Sequence, residues 1–280
     1  MSTESVEDIY HPIALLYKIY DKNEDLIIFD IGACEGESSI FYSEHFLNAK
    51  LYTFEPVPSN FELIKKNTAS YSNINPFQIA LSDKNGTAIF HVSSGTPESI
   101  DKDDETDYGN KSSSLLSPEL HTSTHTWLKF ENKIEVKTQI LSDFCKEKVI
   151  SKIDFIHIDV QGAELMVFEG ANEFIKNIDC IWMEVEEVEL YKGQPLKPDV
   201  EKFMSQRGFF KVLDTTNGQA GDQFYAKKDF FIAKKGIITF YSANINMFFS
   251  DKMKGFRRSL LYRQGSYFKN RILQRLGLKK

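Results

Sequence analysis

An α/β fold, with a mostly parallel sheet and an antiparallel final strand, is what this sequence predicts, and three observations predict it. Apolar, β-favouring runs alternate with amphipathic stretches, so strands and covering helices come in turn. Acids recur where the apolar runs end, at Asp30, Glu55, Asp159 and Glu184. Late in the chain, residues 209–213 and 230–233 read as two strands whose connection is too short for an obvious crossover helix, which makes them an antiparallel pair.

The elements follow in order. Residues 12–20 form a helical candidate with Pro12 in its first turn and Ile13, Leu16, Tyr17 and Tyr20 on one side, suited to cover a sheet edge or the mouth of a ligand site. The run Ile27-Ile28-Phe29-Asp30-Ile31 leads into Gly32-Ala33-Cys34-Glu35-Gly36 and a Ser-rich helix start, a buried strand, a glycine turn and a helix over 39–46. A second strand, 51–54, ends on Glu55-Pro56, and Ser59-Asn60-Phe61-Glu62 has the pattern of a capping box that opens a helix to about residue 69. Residues 77–81 read as a third strand, and Asn85-Gly86 is a hairpin signal leading into 87–92. The polar stretch 93–126 reads as a long surface loop, in which Ser112-Ser113-Ser114-Leu115-Leu116 is either a lid or substrate contact or a solvated tether. Strands follow at 134–140, 153–160 and 180–183, with Gly162 turning the second of these into a helix through Ala163, Val167, Gly170 and Phe174. Pro198-Asp199 opens a last helix closed by Arg207-Gly208.

The glycine turn sits where a parallel sheet presents backbone N–H groups to its crevice. Glu55 lies 25 positions after Asp30, a spacing that suits a carboxylate accepting both hydroxyls of a ribose. The G-x-G-x-x-G fingerprint of a dinucleotide site is absent, and Glu35 and Glu37 would repel a phosphate. A cationic ligand such as the sulfonium of S-adenosylmethionine is instead favoured by Asp30, Glu35 and Glu55.

With 280 residues, 41% hydrophobic and 26% charged, the chain can bury one sizeable core. No apolar run reaches ~18 residues, and residues 1–8 lack the basic and apolar parts of a signal peptide, so a cytoplasmic location is expected. Cys34, Cys145 and Cys180 are far apart and match no zinc spacing, which points to free thiols. The formal charge of −6 is uneven: residues 251–280 hold ten Lys/Arg against one acid, +9, leaving −15 for residues 1–250, which argues against a nucleic-acid substrate for the body. In the tail, Phe268, Ile272 and Leu276 share a helical face among Arg257, Arg258, Lys269, Arg271 and Arg275. That face suits either packing on the acidic body or peripheral contact with an anionic membrane surface, the latter at the inner membrane face.

Four blocks resemble the FkbM-type methyltransferases, class I S-adenosylmethionine-dependent enzymes with a Rossmann-like fold: 30–36, 54–61, 80–83 with Gly86, and 153–164 with 169–171. Cys34, His157 and Gln161 stand where that family commonly has Asn, Lys and Glu. The resemblance implies O-methylation of a hydroxyl, on a sugar, glycan or secondary metabolite. The residues divide the chain into a helical extension over 1–25, a methyltransferase domain over 26–235 with its insertion at about 93–126, and a basic helical tail over 236–280, the resemblance spanning about 27–185. Gly32 and Gly36 are assigned to close approach to the methionine part of the cofactor, Asp30 to its ammonium, Glu55 to the ribose, and Ser82 and Asp83 to the flank of adenine or to a capped turn. Asp159 is the candidate base, with Glu164 a helical turn on, Glu184 on the next strand end, and His157 as an alternative base or a hydrogen-bonded core residue. Asp159 and Glu184 could also hold a divalent cation such as Mg²⁺. A nicotinamide-dependent oxidoreductase and a catalytically silent binding or scaffold protein remain as competing classes on the same fold.

Overall fold

The computed structural model describes residues 12–97, 107–120 and 126–236. The basic tail and its amphipathic face therefore lie outside the described residues.

Strand-to-helix alternation builds a seven-stranded sheet from β1 (Ile27–Ile31), β2 (Lys50–Phe54), β3 (Ile74–Phe77), β7 (Ile153–Ile158), β8 (Ile178–Glu186), β9 (Phe209–Asp214) and β10 (Ala220–Lys227). Its order is β3-β2-β1-β7-β8-β10-β9. Only β10 runs against its neighbours in this sheet, pairing antiparallel with both β8 and β9. Because side chains alternate along a strand, each strand serves two cores. Phe29, Ile31, Ile156, Ile158, Ile181 and Met183 meet α4 (Leu141–Glu147), α5 (Glu164–Gly170) and α6 (Lys197–Gln206) on one face. Ile28, Phe155, Trp182 and Phe224 meet α1 (Ile13–Ile19), α2 (Glu37–His45) and α7 (Lys228–Lys235) on the other. A second sheet of β4 (Ala80–Ser82), β6 (Lys129–Ile140) and β5 (Gly86–Ser94), in the order β4-β6-β5, carries the excursion between α3 (Pro58–Asn67) and β7.

Several elements depart from expectation for identifiable reasons. The stretch 77–81 is not one strand: β3 ends at Phe77 and β4 leaves the main sheet to pair parallel with β6. Pro76 lacks an N–H, which suits β3 to the sheet edge it occupies. Asn85-Gly86 turns the chain without making a hairpin, since β4 and β5 both pair with β6 and not with each other. Residues 230–233 are helix, not strand, inside α7, where Asp229 in the first turn and Lys234 and Lys235 in the last complement the helix dipole. The antiparallel partner of β9 is β10 instead. Helix α3 starts at Pro58 rather than on a capping box at Ser59, with Val57 as its N-cap. Strand β8 runs on to Glu186, so Glu184 lies within it.

Helix α1 buries Ile13, Leu16 and Ile19 while Tyr17 is exposed. The Tyr20 hydroxyl that follows donates to the Asp154 carbonyl at 2.9 Å, near the start of β7. It therefore fastens the end of the sheet opposite the cleft described next, and α1 does not cover the mouth.

Candidate active site

The strand order reverses between β1 and β7, and an open parallel sheet offers its ligand crevice at such a point, beyond the carboxyl ends of the strands. A cleft of about 510 Å³, counted out to its open mouth, lies there. Gly32, Glu55 and Asp159 form its sheet side, Leu81, Phe90 and Leu115 an apolar wall, and Asn110 and Lys111 its cover.

The turn after β1 is tightly built. Gly32 has φ +84°, and a Cβ there would sit 1.9 Å from the Asp159 main-chain oxygen, so glycine lets the two strand ends close on each other. Asp159 N–H in turn donates to the Ile31 carbonyl at 3.0 Å. Gly36, also at φ +84°, caps α2, and a Cβ there would press on Thr68 and Ile64 of the neighbouring helix segment. Its glycine is favoured by the left-handed backbone rather than by the ligand, and it does not line the cleft.

Glu55 has two oxygens with two backbone donors. Its Oε1 accepts from Val57 N–H at 2.8 Å and its Oε2 from Cys34 N–H at 3.0 Å, which leaves a lone pair on each for a vicinal diol. Burial pushes its carboxyl up to about 7, against the lowering effect of those two bonds.

Asp30 and His157 lie inside their strands, short of the cleft. Asp30 and His157 are paired in register and both face α2. Asp30 accepts from Ser39 Oγ at 2.5 Å and is pushed up to about 6, chiefly by burial. His157 Nδ1 lies 3.1 Å from the Tyr42 hydroxyl. Neither lines the cleft, nor do Ser82 and Asp83; Ser82 Oγ donates to Asp83 at 3.1 Å, and the Ser82 carbonyl packs where a Cβ on Gly170 would reach 2.1 Å.

Asp159, just beyond β7, is open to the cleft, yet enough protein surrounds its carboxyl to raise it above the ordinary range. One amide holds it: Gln161 Nε2 donates to Asp159 Oδ1 at 2.8 Å and to Glu184 Oε2 at 2.9 Å. Gln161 has φ +56°, an uncommon conformation for a residue with a side chain, which aims its amide back over the strand ends. Glu164 accepts from Val160 N–H at 3.0 Å and Gly162 N–H at 3.3 Å, so it secures the turn beneath Asp159 and is raised to about 7 by its burial. Glu186 and Asp222 extend the acidic group; burial and the neighbouring carboxylates raise them to about 9 and about 7. Among the described residues no three His, Cys, Asp or Glu side chains are arranged to hold a metal ion, and the Asp159–Glu184 pair is bridged by the Gln161 amide.

Two parts of the site have contacts that the sequence did not reveal. Tyr191, fully buried, places its hydroxyl 2.7 Å from the Ser112 carbonyl and 2.8 Å from Gln161 Oε1, linking the cover to the carboxylates. The cover itself is a short 3-10 turn, Tyr108–Ser112, tied to the glycine turn by Asn110 Nδ2 to Glu35 Oε1 at 2.8 Å and Lys111 Nζ to Glu37 Oε2 at 2.9 Å. Its tandem serines were visible in sequence; the distant partners were not.

A switch-point cleft with a diol-ready carboxylate, no dinucleotide fingerprint and an acidic surround defines a class I S-adenosylmethionine-dependent methyltransferase. The profile of the methyltransferase FkbM domain matches residues 30–211. The chain is 33% identical over 199 residues to the 2-O-methyltransferase NoeI of Sinorhizobium fredii, a match that covers 71% of this chain and 78% of that protein. It is 23% identical to the methyltransferase sdnD of Sordaria araneosa, over 74% and 82% of the two chains. Among solved structures, an rRNA methylase from Streptococcus thermophilus aligns at 10% identity and a TM-score of 0.43, over 81% of this chain and 99% of that one. This chain belongs to the FkbM methyltransferase family.

Proposed function

We propose that this protein transfers a methyl group to a hydroxyl on a sugar, a glycan or a secondary metabolite, with Asp159 as the general base. The likeness to a 2-O-methyltransferase supports the acceptor class, and the placement of Asp159 beside the cofactor cleft carries the mechanism. When bound, S-adenosylmethionine supplies an electrophilic methyl on a sulfonium. The residues present fit it: Glu55 offers two acceptors to a ribose, Gly32 leaves room at the turn, and Ile79, Leu81 and Ala163 give an apolar bed for a base.

An alcohol is a poor nucleophile until its proton is being removed. Asp159 is open to the cleft, and its raised carboxyl makes it a better proton acceptor than an ordinary surface aspartate. Gln161 fixes the direction of the carboxylate, and Glu164 fixes the turn that carries it. Asp159 would thus take the proton of the acceptor hydroxyl, and the methyl that the bound cofactor would supply to that oxygen would leave S-adenosylhomocysteine behind.

The test uses S-adenosylmethionine labelled in its methyl group and a panel of mono- and oligosaccharides and hydroxylated metabolites. Label recovered as an O-methyl ether is the expected product; label recovered only on nitrogen or sulfur would overturn the acceptor class. In Asp159→Asn, turnover should fall at least ~100-fold with little change in cofactor affinity, the range general-base catalysis contributes. Wild-type turnover in that variant would remove Asp159 from the chemistry. An unchanged wild-type rate in EDTA is expected, and a lost one would restore a metal.

A further inference from the structure

Asn110, a residue of the cleft lining, carries a buried acceptor without a partner. Its amide orientation is fixed by its partner, because the Glu35 carboxylate can only accept and so must face the NH2 group, which it does at 2.8 Å. The carbonyl Oδ1 is consequently turned away from Glu35, is shielded from solvent and has no hydrogen-bond partner. Buried acceptors in folded proteins are nearly always satisfied, so this one marks the place of a donor that arrives from outside the chain.

The position identifies the donor. Asn110 lines the cleft and is tied to Glu35 of the glycine turn, in a cleft whose lining also includes Gly32, Cys34 and Glu55. Glu37 is paired with Lys111, so Glu35 leaves one net negative charge at the turn, which attracts a cation. The cover is held down independently, by Lys111 on Glu37, by Ser93 Oγ donating to the Gly109 carbonyl at 2.5 Å, and by the Ser114–His91 backbone bridge. Asn110 is thus held beside the turn by a framework that does not depend on it alone.

We propose that Asn110 is a cofactor-binding residue, its side-chain carbonyl accepting a hydrogen bond from the α-ammonium of the methionine part of S-adenosylmethionine. The assignment rests on the methyltransferase reading above and adds to it the residue that recognises the amino-acid end. It makes the cover a reader of the ligand as well as a roof.

Calorimetry with two ligands separates the possibilities. S-adenosylhomocysteine carries the ammonium; 5′-methylthioadenosine keeps the adenine, ribose and thioether but lacks the amino-acid group. In Asn110→Leu, S-adenosylhomocysteine should bind on the order of tenfold to a hundredfold more weakly while methylthioadenosine binds as to the wild type. Equal weakening of both would show that Asn110 only closes the roof, and no weakening of either would show that it meets no ligand; both outcomes overturn the assignment. A wild-type chain that binds neither ligand would overturn the cofactor reading itself, a result distinct from the other two. Asn110→Ala serves as the second variant where leucine disturbs folding, with methylthioadenosine binding as the measure of an intact cleft.

Discussion

Replacing Glu55 with Gln tests the centre of the site, because one side chain there serves both the fold and the ligand. Each carboxylate oxygen holds a backbone N–H, from Val57 at 2.8 Å and from Cys34 at 3.0 Å. A glutamine keeps one of these bonds through its carbonyl and turns an NH2 group toward the other donor. One buried N–H is left unsatisfied, at a cost of about 1–3 kcal/mol of stability. Glu55→Ala would orphan both donors, so that substitution cannot leave the fold untouched. The ligand cost is separate: a ribose hydroxyl that loses a charged acceptor loses about 1.5–3 kcal/mol, or roughly 10- to 150-fold in affinity. The wild-type carboxyl, raised to about 7, must ionise to accept from both hydroxyls, so affinity for S-adenosylhomocysteine should climb between pH 6 and pH 8. The variant has no such group and should show a flat profile, converging on the wild type at the acid end. Urea unfolding reads the first effect and calorimetry at the two pH values reads the second. A folded Glu55→Gln protein with wild-type affinity at pH 8 would refute the ribose assignment, and unchanged stability would refute the cost assigned to its backbone bonds.

Gly32→Ala should destabilise by about 2–5 kcal/mol, combining the left-handed backbone penalty with a clash against Asp159, whereas Gly218→Ala, at φ +87° with nothing within 4 Å, should cost only the backbone part, about 1–2 kcal/mol. Equal losses in chemical denaturation would show that the close approach of the two strand ends carries no strain. Stability should also fall as pH rises from about 5 to about 8. Asp30, Glu55, Glu164, Asp222 and Glu186 all hold their protons more tightly in the folded chain than free carboxyls do, so the native state binds more protons in that window and loses its advantage as they ionise. Thermal melts across the range check it, with Glu186→Gln expected to flatten the decline and a melting temperature that rises with pH ruling the linkage out.

What sequence could reveal was set by how locally each feature is encoded. The strand-turn-helix at Gly32 is a run of adjacent residues, and its apolar periodicity, its positive-φ glycine and its terminal acid all act within one turn of chain. Glu55 and Asp159 follow from the same logic, since a buried strand fixes where the next residue emerges. Reach along the strand was the harder step. Asp30 stands inside β1, where α2 and Ser39 cover it, while Glu55 and Asp159, of the same parity by register, stand one residue past their strands and meet the cleft. An acid at a strand end is thus a weaker signal than an acid just beyond it. The contacts of the cover could not be read from spacing, because Asn110 meets Glu35 across 75 positions and Tyr191 meets Ser112 across 79. Contacts of that separation are decided by the docking of one sheet on another, which pairs β6 with both β4 and β5 and brings the serine-rich loop back over the first glycine turn. The same separation explains why residues 230–233 misled: their aromatic and β-branched content favours a strand, but β10 already occupies the place between β8 and β9, and the charges at 229, 234 and 235 fit a helix. Local chemistry therefore identifies the floor of this cleft, and only tertiary pairing supplies its roof.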